Sequence, residues 1–133
     1  MITTYINKVV FTDVSQLATS YIKSPSEIVL PFEAQWTELC MTGLARLTVT
    51  ESIENHQRMQ LAELEAMVLE PLVVGDRKLA FLCTDVRGGR ILLGGPDAPY
   101  PLVLNTESHG SSPTEVRTTL KVTYRNASLF HAL

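Results

Sequence analysis

The sequence predicts a mainly β protein, an antiparallel β-sandwich or partly open β-barrel of about six to eight strands. Three observations predict it. Two segments alternate apolar and polar residues with period two, short apolar runs lie between them, and turn-forming residues punctuate the chain. Four of the seven glycines and three of the seven prolines fall in "CTDVRGGRILLGGPDAPYPLVL", Cys83 to Leu104. At 133 residues the chain suits a single domain, residues 1–133, with a core of its own.

The first two strand candidates are "YINKVVF" (5–11) and "EIVLPF" (27–32). The third, "LARLTVTESI" (44–53), sets Ala45, Leu47, Val49 and Ile53 against Arg46, Thr48, Thr50 and Ser52, with Glu51 the one exception, the pattern of a half-buried strand. Residues 57–70, "QRMQLAELEAMVLE", support two readings. Their composition and the spacing of Leu61, Leu64 and Val68 fit one short helix. Gln60, Ala62, Leu64, Ala66 and Val68 also alternate as in a strand, and the preceding strand needs a neighbour.

"KLAFLCT" (78–84) and "RILLGG" (90–95) read as more deeply buried strands, joined by a turn in which at least one of Gly88 and Gly89 is expected to adopt positive φ. "GGPDAPYP" turns the chain again, and "YPLVLNT" (100–106) is a strand whose Pro101 suits a strand start or a sheet edge. "EVRTTLKVTYR" (115–125) alternates throughout. Val116, Thr118, Leu120, Val122 and Tyr124 share one face, while Arg117, Thr119, Lys121, Thr123 and Arg125 share the other. The polar piece "ESHGSSPTE" (107–115) reads as a surface loop.

Composition narrows the function. Only 19% of residues are charged, against 45% hydrophobic, where an ordinary domain carries about 25% charged residues. The low charge hints at a partner surface. A net charge of −3 argues against general nucleic-acid binding through phosphates. Residues 1–75 hold nine acidic and four basic side chains, and residues 76–133 hold five acidic and seven basic. The two parts therefore attract, either within one molecule or between subunits. Cys40 and Cys83 are too few for a disulfide framework or a zinc site and read as buried free thiols. No apolar run reaches about 18 residues, so a soluble protein without a membrane partner is expected.

None of the motifs of an active site is complete. "RGGRILLGG" lacks the Lys-Ser or Lys-Thr and the helix of a phosphate-binding loop. His56, His109 and His131 stand apart, without metal-ligand spacing. Ser108, His109, Ser111 and Ser112 lack the strained turn of a nucleophilic serine. Glu63 and Glu65 form a charged surface with nothing nearby to raise a carboxylate pKa. Trp36 with Phe32, and Tyr100 with Tyr21, read as packing aromatics. No enzyme activity, metal or cofactor is expected.

"TDVRGGRILLGGPDAPYPLVLNTES", followed by "TLKVTYRNASLFHAL", resembles small structural proteins encoded in prophages of Bacteroides-type gut bacteria. The likeness spans residues 78–133 and, more loosely, 44–70, and departs at "IENHQ", where a glycine-containing hairpin turn is expected. It implies a β-rich, non-enzymatic virion component at the head-tail junction or in the tail, made in the cytoplasm and carried in the virion. Its expected partners are further copies of itself or other phage structural proteins. A β-sandwich binding module for a carbohydrate or peptide is the alternative. The expected contact sets Arg117, Lys121 and Arg125 of one subunit against Glu63 and Glu65 of another; the alternatives are that these strands pair within one subunit or that the basic face is merely solvated.

Overall fold

A computed structural model of the chain describes residues 2–24, 27–94, 101–109, 116–126 and 129–132; nothing is said of the side chains of residues 107–109, 116 and 117. The described residues form β1 (Ile2–Asp13), β2 (Tyr21–Ser24), β3 (Glu27–Val29), β4 (Thr37–Glu38), β5 (Ala45–Glu54) and β6 (Gln57–Val68). They continue through β7 (Leu79–Asp85), β8 (Arg90–Leu93), β9 (Leu102–His109), β10 (Val116–Asn126) and β11 (Phe130–Ala132). One 3-10 turn, Val14–Leu17, follows β1.

The protein is mainly β, a single open mixed sheet in the order β2-β3-β11-β8-β7-β1-β5-β6-β10-β9, with β4 beside β1. Strands pair antiparallel, as expected, except for the short β11 on β3, which is parallel and makes the sheet mixed. The strand number exceeds six to eight because β2, β4 and β11 are short. Strands this short carry too little alternation to be recognised unless, like β3 and β8, they lie in an apolar run.

The short helix considered for residues 57–70 is replaced by β6. It is in register with β5 from Arg46↔Glu65 to Glu54↔Gln57 and with β10 from Thr118↔Val68 to Asn126↔Gln60. Helix propensity differs by only about 0.7 kcal/mol per residue among ordinary side chains. Two complete ladders and the burial of Ala62, Leu64, Ala66 and Val68 on one face outweigh it.

Two cores lie on opposite sides of the sheet. The larger gathers Ile6, Val9, Leu47, Leu64, Phe81, Leu93, Leu120 and Val122. It unites β7 and β8 with β6 and β10, which the sheet order separates by β1 and β5, so the sheet coils around it as a partly open barrel. The coil brings β10 to the end of β8, where the Tyr124 hydroxyl lies beside the Gly94 backbone and accepts a hydrogen bond from the Asn126 amide at 3.0 Å. The smaller core holds Leu17, Ile28, Ala80, Leu82, Leu92 and Ala132, with Trp36 packed against it. β7 therefore has Phe81 and Cys83 in one core and Ala80 and Leu82 in the other, which accounts for its unbroken apolar run.

Turn chemistry fixes the register. Gly88 has φ +91°, and the Asp85 carboxylate accepts hydrogen bonds from the backbone N–H of Arg87 and of Gly89, both at 2.8 Å. At the β5–β6 turn Asn55 (φ 49°) and His56 (φ 63°) do without glycine. Asn and His are among the side chains found most often in the left-handed region after glycine, although a Cβ there still costs up to about 1–2 kcal/mol. His56→Gly gives the Asn-Gly pair that two-residue hairpins favour, and it is expected to raise stability by a few tenths to about 1 kcal/mol after the entropy of the unfolded glycine is deducted. The urea midpoint measures the gain.

Candidate functional site

The charges singled out in the sequence meet inside one chain. Antiparallel pairing sets β10 beside β6, and Lys121 Nζ lies 3.5 Å from Glu63. Glu65 pairs with Arg46 at 2.9 Å, and Arg125 reaches Glu54 on β5 at 3.1 Å. Arg77 pairs with Asp13 at 3.1 Å. Lys121, Glu65 and Arg125 thus already have partners within the chain, the within-subunit pairing that the charge pattern also allows. The Arg117 backbone lies in β10 opposite Ser108; its side chain is outside the described residues. These pairs are solvent-exposed and each is worth at most about 1 kcal/mol.

The surface also presents apolar side chains. Among the described residues the exposed large hydrophobic side chains include Tyr21 and Ile22 on β2, Ile53 near the β5–β6 turn, Leu69 and Val73 after β6, and Leu102 and Leu104 on β9. Strand position explains several of them. β1 pairs with β5 only as far as Ile2↔Val49 and β10 with β6 only as far as Asn126↔Gln60. The hairpin tip therefore outruns both neighbours, and Ile53, on the core-facing side of β5, has no core to enter.

β2 and β9 are the two ends of the sheet. In β9 Val103 packs on the large core, and Asn105 is clamped to the loop after β6. Its amide nitrogen donates to the Leu72 carbonyl at 2.9 Å, and its side-chain oxygen accepts from the Leu72 N–H at 3.1 Å. Leu102 and Leu104 therefore face outward from a strand whose inner side is fixed. The sequence located this strand and Pro101 hinted at an edge; the exposure of its leucines follows only from the strand order.

A groove of about 290 Å³ is lined by Phe11, Leu39 and Leu72 together with Glu38, Glu70 and Cys40. Cys40 is exposed, contrary to the buried thiol expected, because it lies in the segment between β4 and β5 whose backbone bonds to Leu69. Cys83 is buried, and burial pushes its thiol up to about 12. In native protein Cys40 is expected to react with a maleimide and Cys83 to stay unmodified, as mass spectrometry would show. Ionisation of Cys83 also has a pH consequence. The unfolded thiol ionises near 9.0 and the folded one near 12, so its contribution to stability is complete below pH 9 and is lost as pH rises through that window.

His56 and His131 are exposed and far apart in the sheet order; the His109 side chain, Ser111, Ser112 and Tyr100 lie outside the described residues. No group of three or more His, Cys, Asp or Glu able to hold a metal occurs among the described residues. Trp36 packs on the small core, whereas Phe32 projects fully into solvent. No helix among the described residues is long and apolar enough to cross a membrane. Comparison with known protein families, curated proteins and solved structures gives no match.

Proposed function

We propose that the chain is a non-enzymatic structural subunit of a phage or prophage particle, at the head-tail junction or in the tail. It acts by self-association or by docking to neighbouring particle proteins. The observation that carries this reading is the apolar surface: both end strands of an open sheet, β2 and β9, expose large hydrophobic side chains. Sheets that work alone usually blunt their edges with charge, proline or a covering element. The particle setting rests on the resemblance of residues 78–133. Such a subunit would be made in the cytoplasm and carried in the virion, and it requires no cofactor, nucleic acid or membrane.

Analytical ultracentrifugation tests the reading. Concentration-dependent association, or complex formation with the products of neighbouring genes, is expected. A monomer at high concentration that binds none of those proteins would overturn it. The second reading, a binding module for a carbohydrate or peptide, is favoured by the groove beside Cys40. Its apolar lining with two glutamates suits a peptide carrying a basic side chain better than a sugar. Saturable binding of a Lys-containing peptide by a persistent monomer, abolished in Glu38→Gln/Glu70→Gln, would put that reading in front.

A further inference from the structure

We infer that β9 is a self-recognition edge, which pairs antiparallel with β9 of a second copy about a two-fold axis at Leu104 and so joins two sheets into one. The inference deepens the assembly reading and rests on it. Among the described residues β9 is paired on one side only, with β10. Its eight residues, LVLNTESH, include none of the Lys, Arg or Pro that keep natural edges apart. The strand exposes 74% of Leu102 and 61% of Leu104 while Val103 and the Asn105 clamp hold its inner side in place. An edge already held in the paired conformation loses little entropy on pairing.

The sequence of β9 selects a second copy as occupant and fixes the register. A perpendicular two-fold axis keeps both outward faces on the same side, so residues that meet must be of the same parity. Centred at Leu104, the pairing spans residues 102–106 of both strands, sets Leu104 against Leu104 of the copy and Leu102 against Thr106, and brings the four exposed leucines together. A centre at Val103 would leave only residues 102–104 to pair, and one at Asn105 would draw the leucines apart. Glu107, the one carboxylate in the strand, then falls opposite Pro101 of the copy. A centre at Glu107 would instead oppose two like charges, which is destabilising.

Two variants test the inference. Leu104 stands opposite Lys121 on β10, so Leu104→Glu gains a cation as neighbour in the single chain, whereas the proposed pair would bring two such carboxylates face to face. This variant should keep the circular dichroism spectrum and melting midpoint of the parent and self-associate at least tenfold more weakly in sedimentation. In a Cys40→Ser background, Leu104→Cys should form a disulfide-linked dimer under diamide, which takes up the two thiol protons and two electrons. Directly opposed strand residues lie within the Cα separation that a disulfide spans, and the buried Cys83 thiol stays out of the reaction. Association that Leu104→Glu leaves unchanged, with no trapping by Leu104→Cys, would overturn the edge and leave the assembly reading standing. Trapping only in a mixture with Ile22→Cys would overturn it in favour of head-to-tail pairing with β2. A strictly monomeric parent would overturn both.

Discussion

Phe81→Ala is expected to lower the free energy of unfolding by about 3–5 kcal/mol, a large share of the roughly 5–15 kcal/mol available to a domain. Phe81 is fully buried at the centre of β7, and its ring centroid lies 6.0 Å from that of Phe11 on β1. Truncation would remove the aromatic pair and leave a cavity. β7 cannot shift to fill it, because Ala80 and Leu82 hold its other face in the second core. Urea denaturation followed by circular dichroism measures the loss. A change below about 1 kcal/mol would mean that the core collapses around the deletion, contrary to the packing described.

Gly94→Val should be the other severe substitution, at about 2–4 kcal/mol from backbone strain and overpacking together. Gly94 has φ +105°, and a Cβ there would lie 3.2 Å from Pro101 Cδ and 3.3 Å from Ala80 Cα. Its backbone also lies beside the Tyr124 hydroxyl where the coil of the sheet closes. Gly88→Val separates the two contributions, since Gly88 shares the positive φ but has open space around it. It should cost only the backbone part, on the order of 1 kcal/mol. Equal losses in the two variants would show that crowding at Gly94 contributes nothing.

The sequence was most legible where one face of a strand is buried and the other wet. Thr118, Leu120, Val122 and Tyr124 of β10 are buried as their alternation requires, with the intervening residues at least partly exposed. β7 and β8 were recognisable from apolar runs between turns, although nothing in those runs told of two cores. Residues 57–70 were ambiguous because good helix formers fill a strand whose identity is set by partners on both sides. Candidate interaction residues were less legible. Charge alternation marks Lys121 and Arg125 as facing outward, yet their partners Glu63 and Glu54 were determined by which strands adjoin. The leucines of β9 look like core in a sequence and become surface only because no described strand lies beyond them.

The position of β11 also governs the order in which the fold can be completed. It lies between β3 and β8, pairing His131 with both Glu27 and Ile91, so the ladder joins two early strands to the rest of the sheet through a strand made about a hundred residues later. Until residues 130–132 leave the ribosome, the edge of β8 has no partner in the sheet, and Ile28 and Leu92 lack the neighbour that completes their core. A nascent chain would pass through that state on every round of synthesis, with an apolar strand edge open to the wrong partner. Premature association would then begin at β8, a strand that the finished molecule keeps covered.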